Sequence, residues 1–350
     1  MIRKSLLLLH LIIVAFFISL CSMSPSAAKN FDDSQIKHIG YPDWFNESPF
    51  YDLTDGLKKS RLSGKKGLMV LFTTEGCSYC DVFIRKSLGD PEIAASVQKS
   101  FDSVGMEIFD DVEMIGPRGI SMPIKQFATK EGVQFSPTLL FYGNDGNKVL
   151  RVTGYQSPER FKKIMEYVVN NHYRTESLHN FLKKQKAKTS PTGSSAALKT
   201  DTLFGGPPYA LDRSRFPASK PLLVIFEKPG CTECAEFHSD VLALKKVRKT
   251  LKRFEVVRFD AGDVKTPILA PDGKKTSPAL WYEQAALTRV PAILFFDEKG
   301  NEVLKTDTLV LHQRMMNSLN YVLEQAYKKG WTYQRFARTT AIERSQKKRQ

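Results

Sequence analysis

Cys77-Ser78-Tyr79-Cys80 and Cys231-Thr232-Glu233-Cys234 stand 154 residues apart, each behind an apolar run and each followed by a lone proline at the same distance. Landmarks across the surrounding unit keep that separation, since Leu68 pairs with Leu222, Gly76 with Gly230, Pro137 with Pro291, and Gly146 with Gly300. A fixed offset held by so many positions marks an internal duplication. The chain is therefore expected to fold as two copies of one unit, each carrying its own dithiol. With 350 residues and 42% apolar side chains, each copy is large enough to bury a core without disulfide staples.

The start of the chain reads as an export signal: Arg3 and Lys4, an apolar stretch from Leu6 to Leu20, then Ser26-Ala27-Ala28, with cleavage expected after Ala28. Cleavage there removes Cys21 and leaves four of the five cysteines, all of them in the two pairs. That usage suits an exported, periplasmic oxidoreductase rather than a disulfide-stapled small fold. Two alternatives stand beside it. Cys21 follows Ile18-Ser19-Leu20 and so resembles a lipid-attachment site with a bulky residue where a small one is preferred, and the apolar stretch is also long enough to be retained as an anchor.

Charge is unevenly spread. The net of +15 resides in the second half, where residues 181–350 carry 31 Lys+Arg against 17 Asp+Glu, while residues 29–180 carry 19 against 20. Export argues against nucleic acid as the partner. Much of the excess sits in the Lys183 to Lys188 run and in Lys347-Lys348-Arg349, which reads as solvated charge, with attraction to an anionic membrane surface as the alternative.

Periodicity gives the same order of elements twice. In the first unit an aromatic lead-in over residues 29–60 precedes an apolar strand from Gly67 to Thr73. A helix over Asp81 to Leu88 follows, then a strand over Phe101 to Phe109, a short helix over Ile124 to Lys130, strands over Thr138 to Tyr142 and Lys148 to Thr153, and a closing helix over Pro158 to Asn171. Phe101, Phe127 and Phe135 read as core. The second unit repeats this from Leu222 to Phe226, through a helix over Cys231 to Leu251, to a closing helix over Leu311 to Tyr327. The segment Lys183 to Thr200 lacks periodic apolar residues and reads as a flexible basic connector, so relative motion of the two halves is expected. The domain plan is a signal peptide over 1–28, a first domain over 29–182, a linker over 183–200, a second domain over 201–328 and a basic tail over 329–350.

A Cys-x-x-Cys pair at a helix start has a physical logic. Unpaired backbone N–H groups and the positive end of the helix dipole stabilise a thiolate on the first cysteine, and one helical turn keeps the second within reach. Cys77 and Cys231 are thus the expected nucleophiles, and Cys80 and Cys234 the residues that close the internal disulfide. Ser136-Pro137 and Val290-Pro291 open apolar strands where a cis proline makes a tight turn, and they are the expected substrate-binding residues.

These residues, together with the Thr138-Leu139-Leu140-Phe141-Tyr142 strand, the Gly turn, Gly154-Tyr155, and Asp90-Pro91-Glu92-Ile93 after the first dithiol, resemble the thioredoxin superfamily. Within it they are similar to exported thioredoxins of the sulfur-oxidation type and to the periplasmic C-terminal domain of the transmembrane disulfide reductase. The resemblance implies an α/β fold of two tandem thioredoxin-like domains, each a central mixed β-sheet flanked by helices. It implies cis peptides at Pro137 and Pro291, reduction of protein disulfides, no cofactor, and a membrane thiol:disulfide transporter as electron donor. The chain departs from the family where thioredoxins usually place a buried acid six residues before the first cysteine and a Trp just before it. Here those positions hold Leu71 and Ile225, then Gly76 and Gly230.

Glu75 and Glu233 are the nearby carboxylates able to accept a proton during resolution. Glu233, between its two cysteines, is expected to disfavour the Cys231 thiolate and make the second pair more reducing, with Lys228 partly offsetting it. Two other readings remain for the second unit. Cys231, Cys234 and His238 form a C-x-x-C-x-x-x-H set suited to zinc or copper, or the unit is a non-catalytic binding module whose cysteines form a structural bridge.

Overall fold

Each dithiol-bearing unit is built on a four-stranded mixed sheet. The computed structural model describes residues 31–46, 51–189, 198 and 200–349; the export segment, its cleavage site and Cys21 lie outside the described residues. In the first sheet β1 (Gly67–Thr73), β2 (Phe101–Glu107), β3 (Thr138–Gly143) and β4 (Lys148–Thr153) lie in the order β2-β1-β3-β4. The β1/β2 pair is parallel, and β1/β3 and β3/β4 are antiparallel. In the second sheet β5 (Leu222–Glu227), β6 (Glu255–Asp260), β7 (Ala292–Phe296) and β8 (Glu302–Thr306) repeat this as β6-β5-β7-β8. Central β1 and β5 are buried along their whole length, which is why both read as continuous apolar runs rather than alternating ones.

Helices cover both faces of the first sheet: α1 (Leu53–Leu62), α2 (Ser78–Val82), α3 (Pro91–Ser100), α4 (Ile124–Lys130) and α5 (Pro158–Val169). Leu68, Val70 and Phe72 meet Leu53, Leu57 and Phe127 on one face, and Phe83 packs edge-on against Phe161 of α5. The aromatic lead-in packs on this unit as expected: the Tyr41 hydroxyl meets Thr73 Oγ1 at 2.6 Å, and a Cβ on Gly105 would come within 2.3 Å of the Tyr41 ring. After α6 (Leu178–Thr189) the second unit follows with α7 (Thr232–Phe237), α8 (Lys245–Leu251), α9 (Pro278–Gln284), α10 (His312–Leu323) and α11 (Tyr333–Arg349).

The 154-residue offset extends further than the sequence landmarks indicated. The helices Ile124–Lys130 and Pro278–Gln284 correspond residue for residue, as do Pro158–Val169 and His312–Leu323. The 3-10 turns beginning at His172 and Ala326 also correspond. The residues read as the start of a connector and as a basic tail are therefore one element present twice, the terminal helices α6 and α11. Their polar composition hid them: α11 presents only a narrow apolar edge, with Tyr333 and Phe336 in the second unit's core cluster, and is otherwise mostly polar or charged. Residues 190–197 and 199 of the expected connector lie outside the described residues.

The single helices expected from Asp81 and from Cys231 are each interrupted. A π turn occupies Phe83–Leu88 and His238–Leu242, and new helices start at Pro91 and Lys245. Asp90 caps the first of these new helices, its carboxylate accepting from the amides of Glu92 and Ile93.

The two halves pack against each other, and Asp32–Gln350 forms one compact unit. Phe135 of the first half is part of the core cluster made by Val310, Met315 and Tyr333 of the second. The seam follows pseudo-twofold symmetry. Gly154 and Thr308, equivalent under the offset, touch each other: a Cβ on Gly154 would lie 2.4 Å from Thr308. A cavity along the seam is lined by equivalent pairs, Arg151 with Lys305, Thr153 with Asp307, and Phe135 with Arg289. Reciprocal contacts of this kind define an isologous interface, here formed within a single chain.

Candidate active sites

The apolar strands β1 and β5 deliver the chain to a tight turn at Gly76 and Gly230, both with positive φ, and each first cysteine then caps the helix that follows. Cys77 Sγ accepts from the Cys80 amide at 3.1 Å, and Cys231 Sγ accepts from the Cys234 amide at 3.0 Å. The two pairs are disulfide-bonded, with Cα separations of 5.3 and 5.2 Å. In both, the first sulfur belongs to a partly exposed residue and the second to a buried one, Cys80 at 0% and Cys234 at 4% exposure. That ordering makes the first cysteine the one a foreign disulfide reaches.

The peptide bonds Ser136-Pro137 and Val290-Pro291 are cis and bring the preceding residue beside the sulfur. Ser136 Oγ lies 3.4 Å from Cys77 Sγ, and the Val290 carbonyl oxygen lies 3.9 Å from Cys231 Sγ. All eight residues singled out in the sequence thus gather at two sites.

The sites differ in what covers them. At the first, Ser78 and Tyr79 are buried, whereas their equivalents Thr232 and Glu233 are exposed. Arg314 of α10 stacks its guanidinium 3.4 Å from the centre of the Tyr79 ring and donates through Nη2 to the Ser136 carbonyl at 2.9 Å. Gln334 of α11 donates to Ser136 Oγ at 3.1 Å. Asp33 of the lead-in completes the cover: its carboxylate accepts from the Gln313 and Arg314 amides at the start of α10 and from the Tyr79 hydroxyl. Neither Arg314 nor Asp33 was singled out in the sequence, because their roles depend on the seam.

At the second site Arg160, equivalent to Arg314, feels the charges of Arg289 and Glu233, so Glu233 acts on Cys231 with arginines opposing it. The Glu233 carboxylate is 4.0 Å from Cys231 Sγ. Lys228, expected to offset Glu233, has its ammonium 5.7 Å from the centre of the Tyr282 ring. Glu75 pairs with His38 at 3.0 Å on the exposed rim of the first site.

His238 turns away from the reading that joined it to the cysteines. Its Nε2 meets Glu227 Oε1 at 2.7 Å, and Arg258 approaches the other carboxylate oxygen at 3.5 Å. Glu227 is 2% exposed, at the position held by Thr73 in the first unit. Its sequence signal was a lone charge ending an apolar strand. Among the described residues no group of three or more His, Cys, Asp or Glu side chains is gathered as a metal site would require. Leu71 and Ile225, where the family usually has a buried acid, are fully buried apolar residues.

A helix-capping dithiol beside a cis proline, on a mixed four-stranded sheet, defines a thioredoxin-fold thiol-disulfide oxidoreductase. The chain belongs to the thioredoxin-like domain family, whose model matches residues 53–169 and 216–323. Among solved structures it is similar to a thioredoxin-fold protein from Helicobacter pylori, at 21% identity over 41% of this chain and 89% of that one with a TM-score of 0.34. A putative disulphide-isomerase from Bacteroides thetaiotaomicron matches at 23% identity over 41% and 99%, with a TM-score of 0.29. The C-terminal domain of DsbD from Neisseria meningitidis, in its reduced form, matches at 15% identity over 30% and 83%, with a TM-score of 0.23. No curated protein matches the chain.

Proposed function

We propose that the protein is an exported, periplasmic oxidoreductase that reduces protein disulfides by dithiol exchange, with a membrane thiol:disulfide transporter as its electron donor. The observation that carries this reading is the capping geometry repeated at Cys77 and Cys231: a partly exposed sulfur held on a helix N-terminus, with a buried cysteine one turn behind it. In the reduced protein the helix start favours the first cysteine as thiolate. Its attack on a substrate disulfide forms a mixed disulfide and releases one substrate thiolate. The second cysteine then attacks the first sulfur, closes the internal bond and releases the other thiolate.

Export is supported by Arg3, Lys4, the Leu6 to Leu20 stretch and Ser26-Ala27-Ala28. Among the described residues no helix is long and apolar enough to cross a membrane. The exposure of Thr232 and Glu233 favours a working second dithiol over a structural bridge.

The test is single-turnover reduction of insulin by the pre-reduced chain, followed by thiol titration. Reduction of insulin by the wild type, and a mixed disulfide that accumulates in Cys234→Ala, are expected. A reduced chain that leaves insulin oxidised over hours would overturn the proposal. Equilibration against thiol buffers of graded potential fixes the direction of electron flow, and a pair oxidising relative to the glutathione couple would reverse it.

A further inference from the structure

The first dithiol sits at the bottom of a pocket that the second half completes. Six residues matter: Cys77 and Ser136 on the floor, Arg314 and Gln334 fixed on Ser136, and Arg338 and Arg344 on the outer wall. Gln334, Arg338 and Arg344 lie four and six residues apart along α11, and Ala337 and Ala341 between them keep the wall low. The pocket is shallow and open to solvent, so a ligand would reach the Cys77 sulfur along the arginine wall rather than be enclosed.

Two features set what fits. The backbone carbonyl of the residue before the cis proline is a group an extended peptide would use, and Arg314 already occupies it at Ser136. At the second site the equivalent Val290 carbonyl faces the sulfur and receives no hydrogen bond from the first half among the described residues. The outer wall is cationic. Arg344 Nη1 is buried and has no hydrogen-bond partner among the described residues, and Arg338 reaches over the Phe109 ring, 5.0 Å from its centre. Two acids act on Arg344: Asp33 is engaged by two backbone amides and a tyrosine hydroxyl, and Asp32 accepts from the Ser34 amide and the Gln35 side chain; Glu75 on the rim pairs with His38.

Resting on the exchange reading above, we propose that the Cys77 dithiol serves small disulfides that carry carboxylates, held by Arg338 and Arg344, while the Cys231 dithiol serves proteins. The balance is that of ordinary exchange. The Cys77 thiolate attacks one sulfur of the small disulfide, forming Cys77–S–S–R and expelling RS⁻. Cys80 attacks Cys77 Sγ and expels the second sulfur, which takes up the Cys80 proton and leaves as RSH. The dithiol gives up two electrons, and the small disulfide takes both.

The test uses the full chain with Cys231→Ser and Cys234→Ser, pre-reduced and freed of reductant. Oxidised glutathione, cystamine and insulin are offered separately, and the rate of Cys77–Cys80 closure is read by quenched alkylation. Oxidised glutathione is expected to react about tenfold faster than cystamine, equivalent to about 1.4 kcal/mol in the barrier. Insulin is expected to react more slowly than either. Arg338→Glu with Arg344→Glu is expected to invert the preference, slowing oxidised glutathione and speeding cystamine, and Arg338→Gln with Arg344→Gln is expected to erase it. Equal rates for the two small disulfides, or insulin reacting faster than both, would overturn the inference and leave dithiol exchange standing. A chain inert toward both small disulfides would overturn exchange at Cys77 and this inference with it.

Discussion

Arg314→Leu is the perturbation that most directly tests the seam. Arg314 is 6% exposed. It donates to the Ser136 carbonyl at 2.9 Å, to Thr308 Oγ1 and the Leu309 carbonyl at 3.2 Å each, and covers the Tyr79 ring. Leucine leaves the buried Ser136 carbonyl unpaired, at about 1–3 kcal/mol, removes a bond from the part-buried Leu309 carbonyl, at about 1 kcal/mol, and loses a stacked cation worth about 1–2 kcal/mol. Relief from burying a guanidinium returns part of this, so the expected net loss is about 3–4 kcal/mol, within the range for breaking a buried charged network.

Arg160→Leu is the matched control, 154 residues earlier. Burial already weakens that guanidinium's hold on its proton, and Arg289 repels it. The Arg160 side chain donates to a neutral acceptor, Gln156 Oε1 at 2.9 Å, so its expected loss is about 1 kcal/mol. Urea unfolding of both oxidised variants, followed by circular dichroism, gives the comparison. Iodoacetamide should also modify reduced Cys77 faster in Arg314→Leu, since the cover over Ser136 is lost. Equal losses at the two positions, or an unchanged Cys77 alkylation rate, would refute the seam as the source of the difference.

Gly154→Ala forces a Cβ to 2.4 Å from Thr308 at a residue with φ of +77°; a loss of about 2–4 kcal/mol is expected in urea unfolding, and Thr308→Gly should restore the steric share. Glu227→Leu removes the buried carboxylate that His238 and Arg258 approach, while Arg258 keeps its place over the Phe204 ring, so a loss of about 3 kcal/mol is expected by the same assay; a neutral outcome would mean that the carboxylate does not hold them. Asp201 pairs with Arg248, and hydrogen bonds from its guanidinium hold the carboxylate at about 2. A lowered carboxylate pKa contributes stability in full above its ordinary value near 4, and that contribution is lost as pH falls through about 2. Allowing for the partial exposure of both side chains, Arg248→Ala is expected to cost about 1 kcal/mol at pH 6 and nearly nothing at pH 2, read from unfolding midpoints.

Strands and nucleophiles were legible in the sequence because their signals are local. Gly67 to Thr73 is a seven-residue apolar run, and a dithiol with a distant proline in fixed register needs no tertiary information to be recognised. The terminal helices were not legible, because α11 owes its place to contacts with the other half, where Gln334 meets Ser136 and Tyr333 meets Phe135. The same holds for Arg314. A lone arginine in a helix reads as solvated until the offset sets it against Tyr79. Lys347, in the run taken as solvated charge, is exposed, whereas Arg338 and Arg344 of the same helix line the first site.

The pseudo-twofold seam also explains why the two dithiols differ. In an isologous interface the residue on the axis meets its own equivalent, so two bulky copies there would collide. Gly154 opposite Thr308 resolves the collision, with the glycine supplying the space that the threonine occupies. Once the two positions differ at the axis, equivalent contacts elsewhere are free to differ as well. Arg314 lies on an aromatic face at Tyr79, while Arg160 donates to Gln156 Oε1 at 2.9 Å and feels the charge of Glu233 only at a distance. Gln334 reaches a hydroxyl at Ser136, whereas Val290 has none to offer. The second half buries an acid at the end of its central strand, Glu227, held by His238 and Arg258, where the first has Thr73. One folding unit used twice thereby yields a covered site walled by arginines and an open one, through differences within each half, as at Thr73 and Glu227, and in the residues that each half presents to the other.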